Sequence, residues 1–446
     1  MHHYQSRTKK LLPIALCLFL LSVSVGSAMA ETPAFSEVIT SDIVRTQAHE
    51  PITWDLIQMV EHDPDLKALL EQSIAQATAI NPDPQTNPVD SLESYYEFID
   101  WSIRAMPWAI SPTDEYVSLY DRIDQSMGCF YFVCNQPLDA LTDKGYYHNS
   151  IMYHEPFRSW LVKFTSEYGA FLSTEASWCD EYYQNALANP DFHLNDGTYE
   201  DAAKWKTFND FFARQLSDPS VRPIDAAEDD TVVTSPADSV PQGVWAIDAE
   251  SRVSNPVSDD DTEDGRGIAI KTGTLTDVSV LLAGSAYANA FEGGVLTHTF
   301  LDVNDYHRYH FPVGGTILEA FVIPADDAPG GVITWDPVAG RYKEYWSELF
   351  GWQSIETRGV IVMKLANGGL AAIVPVGMCE VSSVNFEASV TPGVVVKKGD
   401  PMGFFLFGGS DIVMIFSEDA GFDLTAEQGI HIDMGMAYGR LLGAET

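Results

Sequence analysis

The sequence predicts an α+β protein in which a helical N-terminal domain precedes a β-rich domain. Up to about residue 200, apolar residues recur at helical spacing, and Asp63-Pro64 pairs a capping residue with proline at the first helical position. From Thr231 onward, short β-branched and aromatic runs alternate with Gly and Pro turns. We therefore place the helical domain at residues 31–204 and the β-rich domain at residues 205–446.

The first 30 residues have the layout of a secretory signal peptide. Three basic residues precede an apolar run at 11–25, and Ala28-Met29-Ala30 forms a small-residue cleavage site. An uncleaved membrane anchor is the weaker alternative, because a bilayer span needs about 20 apolar residues. We expect an exported, soluble mature chain that begins at Glu31.

The chain is strongly acidic, with a net charge of −39. Loss of the three basic residues in the signal peptide would change the net charge to −42. Such a surface repels nucleic acid and anionic lipid, so no nucleic-acid partner is expected.

Four of the five cysteines lie outside the signal peptide: Cys129, Cys134, Cys179 and Cys379. An even number in an exported chain permits disulfides, and Cys129 with Cys134 is the most plausible pair because they are close in sequence. Free buried thiols are equally compatible with the sequence. The cysteine spacing does not match a zinc site.

Further helices are predicted within the N-terminal domain. Asp90 with Glu93 resembles a capping box, and apolar patterns extend over Pro156–Leu172 and Ala176–Leu187. An amphipathic helix and turn are expected at Lys206–Leu216.

Strands dominate the second domain. Tyr342–Phe350 and Val278–Leu282 are interpreted as helices or turns, and the acidic segment Ser258–Asp264 as a solvated loop. The predicted strands are Thr231–Thr234, Ile268–Ile270, Thr316–Ile323, Gly359–Lys364, Ala371–Val376 and Val394–Val396.

A Gly-Gly-Ser sequence, Gly408-Gly409-Ser410, separates two apolar runs at 404–407 and 411–416. Each run is typical of a buried strand, and the glycines indicate a bend or a close backbone approach. Ser410 is a potential nucleophile there. Taken alone, the pattern is ordinary for a tight hairpin.

Two histidines three residues apart, His307 and His310, occur in a second notable stretch at 305–315. They are compatible with half of a metal site, with an acid–base pair or with packed surface histidines. Asp238 follows Pro236-Ala237 in a turn-like segment and is a candidate partner for one imidazole.

Together, these stretches resemble the phosphatidylserine decarboxylase family over roughly residues 200–446. The Phe208-Asn209-Asp210-Phe211-Phe212 stretch is also similar to that family. The resemblance implies self-cleavage between Gly409 and Ser410, which turns Ser410 into a covalent pyruvoyl group. This cofactor would condense with a substrate amine and accept the electrons left when carbon dioxide departs.

The resemblance also assigns roles to the site residues. His310 would take the proton of Ser410, with Asp238 orienting its ring, and His307 would serve decarboxylation; no metal is expected. Asp411 departs from the family's usual threonine or serine, and a carboxylate beside the nucleophile is expected to slow cleavage. Ser239 and Gly314-Gly315 are lesser departures.

The expected function is a self-processing, pyruvoyl-dependent carboxy-lyase whose cleaved α and β chains remain associated. The N-terminal region resembles a branch that includes soluble tryptophan decarboxylases. With the acidic charge, this favours a free, aromatic amino acid as the small-molecule amine substrate. One alternative is decarboxylation of phosphatidylserine to phosphatidylethanolamine in phospholipid biosynthesis. Another is a secreted pseudoenzyme that binds a partner without cleaving itself.

Overall fold

The computed structural model describes residues 49–110, 119–253, 269–270, 273–274, 277–324, 331–346, 351–377, 383–408 and 410–443. The predicted signal peptide, the acidic segment Ser258–Asp264, Cys379 and Gly409 lie outside these residues. Among the described residues, no helix is both long and apolar enough to cross a bilayer.

The described residues confirm the α+β class, with most helices before residue 213 and the strands after residue 231. The helices are α1 (Pro51–His62), α2 (Pro64–Ile80), α3 (Leu92–Ser102), α4 (Leu119–Phe132), α5 (Phe157–Leu172), α6 (Asp180–Ala188), α7 (Phe208–Phe212) and α8 (Val278–Leu281). The boundary proposed between residues 204 and 205 stays a prediction.

Local capping explains where two of these helices begin. Asp63 accepts hydrogen bonds from the backbone amides of Asp65 and Leu66, as predicted for the start of α2. The capping box of α3 is formed by Ser91 and Ser94, so the prediction of Asp90 with Glu93 is wrong. The shorter serine side chains satisfy the same free amides one residue further along.

Seventeen strands are described. They are β1 (Val232–Thr234), β2 (Val240–Ala246), β3 (Ala269–Ile270), β4 (Gly273–Thr274), β5 (Val295–Leu301), β6 (Arg308–His310), β7 (Gly315–Ile323), β8 (Gly331–Asp336), β9 (Arg341–Trp346), β10 (Thr357–Lys364), β11 (Leu370–Gly377), β12 (Asn385–Phe386), β13 (Val395–Val396), β14 (Pro401–Phe404), β15 (Ser410–Phe416), β16 (Phe422–Leu424) and β17 (Ala437–Leu441).

An antiparallel seven-stranded sheet has the order β13-β7-β10-β11-β15-β5-β2. Two three-stranded sheets have the orders β1-β17-β16 and β12-β14-β6. Strand β15 is buried along its whole length. The run at 411–416 is therefore apolar on both faces of the strand except at Asp411, because both faces are covered.

The Gly-Gly-Ser sequence does not form a hairpin. Strand β14 pairs with β6 and β12, whereas β15 pairs with β11 and β5 in the larger sheet. The bend thus carries the chain from one sheet to another. Gly408 has a φ of 141°, a backbone conformation that favours glycine.

The hairpin β8–β9 packs against helix α4, and the expectation of helix or turn at Tyr342–Phe350 is wrong for residues up to Trp346. The backbone amide of Tyr342 donates to Gln125 Oε1 at 2.6 Å. A Cβ atom on Gly128 would lie 2.6 Å from the Tyr342 Cβ, so the helix accepts this hairpin because residue 128 is glycine. Such a long-range contact decides the local structure.

Cys129 and Cys134 are free, buried thiols, so the proposed disulfide between them is not formed. The Cys134 Sγ lies 3.4 Å from the Tyr131 carbonyl oxygen, and the Cys129 Sγ lies 3.7 Å from the Thr86 carbonyl oxygen. Burial raises the pKa of both thiols to about 12, which makes them unreactive.

Candidate active site

Ser410 is the first residue of β15 and is fully buried. It pairs with Gly377 on β11 and with Leu301 on β5, so it lies on an interior strand of the seven-stranded sheet. A Cβ atom on Gly377 would lie 2.7 Å from the backbone oxygen of Ser383, so glycine allows a second chain segment to pack beside the serine strand. The serine is held on a rigid element, away from solvent.

The imidazole of His307 contacts this serine. His307 Nδ1 lies 3.0 Å from Ser410 Oγ, and His307 Nε2 lies 3.0 Å from the carbonyl oxygen of Asp302. A carbonyl only accepts, so Nε2 carries the hydrogen and Nδ1 has a free lone pair in the neutral ring. The serine hydroxyl therefore donates to Nδ1.

His307 is held as a neutral imidazole. Burial first, and then the nearby Arg214 charge, lower its pKa to about 3. Phe212, at the end of α7, stacks on the imidazole with a centroid distance of 3.9 Å and an interplanar angle of 23°. The ring is fixed in orientation and is ready to accept a proton at neutral pH.

The ring nitrogens of His310 have hydrogen-bond partners other than Ser410. Its Nδ1 lies 2.9 Å from the carbonyl oxygen of Gly399, so Nδ1 carries the hydrogen. The Tyr306 hydroxyl then donates to His310 Nε2 at 3.2 Å. Burial is the main cause that lowers the pKa of His310.

Asp238 forms an ion pair with Arg222. The Arg222 Nη2 and Nε atoms lie 2.7 and 3.0 Å from the two carboxylate oxygens of Asp238, and the Met434 amide donates at 2.7 Å. The sequence-based arrangement, in which Asp238 holds His310 and His310 contacts Ser410, is therefore not the one in this structure. The carboxylate and both nitrogens of His310 already have other partners, whereas His307 contacts the serine. The catalytic roles assigned to these residues stay predictions.

Asp411 lies beside Ser410 in sequence but has separate contacts. Successive strand residues point to opposite faces, and the carboxylate is bonded to His298 Nδ1 at 2.9 Å and to Gln353 Nε2 at 3.0 Å. His298 stacks on Trp245 with a centroid distance of 5.0 Å. The carboxyl group expected to disturb the nucleophile is thus hydrogen-bonded to a histidine on the neighbouring strand, β5.

Of the lesser departures, Ser239 has a structural reason. Its hydroxyl is buried, donates to the Ala237 carbonyl and accepts from Thr299 Oγ1 at 2.7 Å. Gly314, which stands in place of an aspartate, has no such reason, because a Cβ atom there would meet nothing closer than 3.4 Å. The glycine that the family shares, Gly315, is required, because its Cβ would lie 2.6 Å from the Lys364 carbonyl oxygen.

Sequence reasoning missed several residues that position the site. Asn209 Oδ1 accepts the Phe407 amide at 3.0 Å, and Phe407 packs on Phe208 and Phe212. The Phe-Asn-Asp-Phe-Phe sequence was recognised, but the sequence did not indicate that Asn209 would bind the backbone of Phe407. The Phe212 side chain of helix α7 therefore lies between His307 and Phe407 and contacts both rings.

A polar cavity of about 190 Å³ opens beside the loop that precedes His307. Asp305 accepts a hydrogen bond from the Asp302 amide at 2.8 Å and pairs with His431 Nε2 at 2.9 Å. Within the described ranges, no group of three or more His, Cys, Asp or Glu residues is arranged to hold a metal ion. The lining of the polar cavity includes Asp191, Tyr199, Arg222, Asp238, Asp302, Asp305, His431 and Asp433.

Comparison with known proteins identifies relatives over the second half of the chain. The family described as phosphatidylserine decarboxylase matches residues 208–440, just over half of the sequence. Phosphatidylserine decarboxylase proenzyme 2 of Oryza sativa subsp. japonica is 33% identical over 247 residues, covering 54% of this chain and 35% of the rice protein. The match thus spans about a third of the length of that relative.

Bacterial relatives are covered more fully. The phosphatidylserine decarboxylase proenzyme of Vibrio campbellii is 26% identical over 55% of this chain and 82% of its own length. The corresponding proenzyme of Shewanella amazonensis is 28% identical over 51% of this chain and 75% of its own length. The match includes Asp238, both histidines and the serine, and the chain belongs to the phosphatidylserine decarboxylase family of pyruvoyl-dependent carboxy-lyases.

Proposed function

We propose that this chain is a proenzyme that cleaves itself before Ser410 and then acts as a pyruvoyl-dependent decarboxylase. The observation that supports this best is the buried contact of 3.0 Å between Ser410 Oγ and His307 Nδ1. A serine becomes a nucleophile when a base takes its proton, and a neutral, oriented imidazole is such a base. The family membership of the chain supports the same chemistry.

The proposed cleavage balances with one water molecule. Ser410 Oγ adds to the Gly409 carbonyl carbon, its proton passes through an imidazole to the peptide nitrogen, and the C–N bond breaks to leave an ester. Loss of the Ser410 α-hydrogen expels the Gly409 carboxylate, and hydrolysis of the resulting enamine releases ammonia. The product is a ketone at position 410 that supplies an electron sink for decarboxylation.

Two imidazoles are candidates for the base. Contact with Ser410 supports His307, whereas the family resemblance supports His310, which would have to exchange its bond with Tyr306 to reach the serine. A His307→Ala chain that still cleaves would assign the base to His310 and leave His307 to decarboxylation. An uncut His307→Ala chain beside a cut His310→Ala chain would assign the base to His307.

The two product chains should stay together. The C-terminal product would contain β15, β16 and β17, and β15 lies between β11 and β5 of the larger product. Strand β17 pairs with β1, which also belongs to the larger product. Separation would expose two sheets, so the products should co-elute under native conditions.

Phosphatidylserine is the first substrate candidate, because the named relatives are phosphatidylserine decarboxylases. This replaces the free aromatic amino acid as the leading candidate. A free amino acid remains the second, because the net charge of −39 opposes binding to anionic lipid. Both candidates present an amine, and the carboxylates that line the polar cavity suit an ammonium group.

The first experiment is a denaturing gel of the purified chain, with the Ser410→Ala chain as control. Cleavage should give a fragment of residues 410–446, about one-twelfth of the 49.2 kDa chain, and one ammonia per chain. Its N-terminus should react with carbonyl reagents. An intact wild-type chain would favour the pseudoenzyme alternative.

The second experiment measures carbon dioxide release at matched salt. Phosphatidylserine vesicles are compared with free serine, tryptophan, tyrosine and phenylalanine, and Ser410→Ala is the blank. Release from vesicles alone would support the lipid substrate, and release from a free aromatic amino acid alone would support the second candidate.

A further inference from the structure

Arg214 is a completely buried cation beside the candidate site. Its Nη2 atom donates to the carbonyl oxygens of Asn304 at 2.6 Å and Asp305 at 3.0 Å. Its guanidinium carbon lies 4.3 Å from the ring centroid of Tyr199. Among the described residues, no carboxylate lies within ion-pair distance of Arg214.

Burial of a charge without a counter-ion is costly, even when carbonyl groups and an aromatic face compensate part of the lost hydration. A neutral residue would fill the same space at a lower electrostatic cost. The position of the charge therefore needs a reason beyond packing. Arg214 follows helix α7, whose Phe212 stacks on His307, and it binds the loop at 302–306 that leads into His307.

The same loop sets the hydrogen position on His307. The Asp302 carbonyl accepts the His307 Nε2 hydrogen, and this carbonyl also accepts the Asp305 amide at 3.0 Å. Arg214 donates to the carbonyls of Asn304 and Asp305 in the same loop. If the loop moved, His307 would lose the acceptor that keeps its hydrogen on Nε2.

We propose that Arg214 is a positioning residue for His307. Its guanidinium fixes the 302–306 loop so that the Asp302 carbonyl takes the Nε2 hydrogen and the Nδ1 lone pair faces residue 410. The consequence for catalysis rests on the proposed function, whereas the positioning itself does not.

The positive charge of Arg214 also favours the neutral form of His307. It lowers the pKa of His307 in addition to the larger effect of burial, and so disfavours the protonated ring that could not accept the serine proton. The loop itself carries Asp302 and Asp305, and Arg308 follows His307. The cavity beside the loop is also lined by Asp191, His193, Arg222, Asp238, His431 and Asp433. Asp305 pairs with His431, and the Arg308 guanidinium pairs with Glu387 at 3.3 Å.

Arg358 provides a matched control within the same chain. It is also buried and also donates to backbone carbonyls, those of Leu281, Val280 and Glu356, at 2.7–2.9 Å. Both buried arginines thus hold backbone carbonyls in place. Of the two, Arg214 binds the loop of the imidazole that contacts residue 410, whereas Arg358 binds the end of helix α8 and Glu356.

The test uses the full chain with Ser410→Ala, which remains uncut and removes the serine hydroxyl as a second influence on the ring. Long-range ¹H–¹⁵N spectra of labelled histidines report which ring nitrogen carries hydrogen, and the His307 signals are assigned by comparison with His307→Gln. The spectra are recorded as a function of pH for Arg214→Gln, Arg214→Lys, Arg358→Gln and Arg358→Lys. Circular dichroism verifies that each chain is folded.

We expect the parent and both Arg358 variants to keep a single neutral tautomer with hydrogen on Nε2. Arg214→Gln should raise the His307 titration midpoint by about one pKa unit or more, because the adjacent positive charge is lost. Arg214→Lys should retain the low midpoint but show both tautomers, because an ammonium does not reproduce the planar fork.

If one Arg214 variant does not fold, the other still tests the proposal by itself. A parent-like midpoint in Arg214→Gln, or a single parent-like tautomer in Arg214→Lys, would overturn the proposal. These outcomes do not depend on catalysis. Failure of the proposed function would instead be seen as an uncut wild-type chain.

Discussion

The buried pair of Asp411 and His298 offers a quantitative test of how this chain accommodates an acidic residue beside its nucleophile. Asp411 is fully buried, and its carboxyl group contacts the side chains of His298 and Gln353. His298→Leu removes one of the two side-chain hydrogen-bond partners of this buried carboxyl group. Leaving a buried polar group without its partner costs about 1–3 kcal/mol of unfolding free energy. Loss of the Trp245 stacking adds about 0.5–1.5 kcal/mol.

The double variant His298→Leu/Asp411→Asn separates these contributions. It lacks the same Trp245 contact but carries an amide, which has no charge, in place of the carboxyl group that has lost its partner. We therefore expect it to be at least about 1 kcal/mol more stable than His298→Leu, within the usual range of coupling between contacting residues. Urea unfolding of Ser410→Ala chains, followed by fluorescence and circular dichroism, measures the difference.

An exposed ion pair is the control for this measurement. Lys163 pairs with Asp55, and both side chains are about half exposed. Lys163→Ala should leave the unfolding free energy almost unchanged, because water and salt screen an exposed ion pair. If His298→Leu is equally mild, or if the double variant is no more stable than His298→Leu, the contact between His298 and Asp411 does not stabilise the fold in this way.

Four further predictions concern decarboxylation, the pH dependence of stability, packing at Gly377 and export. His307→Ala should lower carbon dioxide release by about 10²–10⁴-fold, because its imidazole contacts position 410; normal release from a folded variant would refute this. Burial gives His307 a pKa of about 3, so its contribution to stability is present above the ordinary value of 6.5 and is lost as pH falls towards 3. Replacing His307 with Gln should reduce the pH dependence of the unfolding free energy between pH 3 and 6.5 by about 1.4 kcal/mol per pH unit, as measured by urea unfolding at several pH values. An unchanged pH dependence would contradict the low pKa of His307. Gly377→Ala should destabilise the chain by about 1–3 kcal/mol, since the new Cβ would lie 2.7 Å from a backbone oxygen. Gly314→Ala is the control for packing, because its Cβ would meet nothing closer than 3.4 Å and its φ is not positive. N-terminal sequencing of exported material should begin at Glu31, and recovery only in membranes with residues 1–30 attached would favour an anchor.

Much of the candidate site was accessible from the sequence. The Gly-Gly-Ser sequence, the histidine pair and the Pro-Ala-Asp segment pointed to the family that the comparisons then identified. Capping at Asp63 and the apolar run at 411–416 also predicted real elements, because helix starts and buried strands are encoded by neighbouring residues.

The tertiary structure decided which of those residues meet. His307 and Ser410 are 103 residues apart in sequence, and their contact depends on the aromatic helix α7 and the 302–306 loop. The histidine spacing alone does not say which ring faces the serine. The partner of Asp411 likewise lies on another strand, 113 residues away. Local sequence sets helices, strands and turns, but contacts between distant side chains are fixed only when sheets and helices pack together.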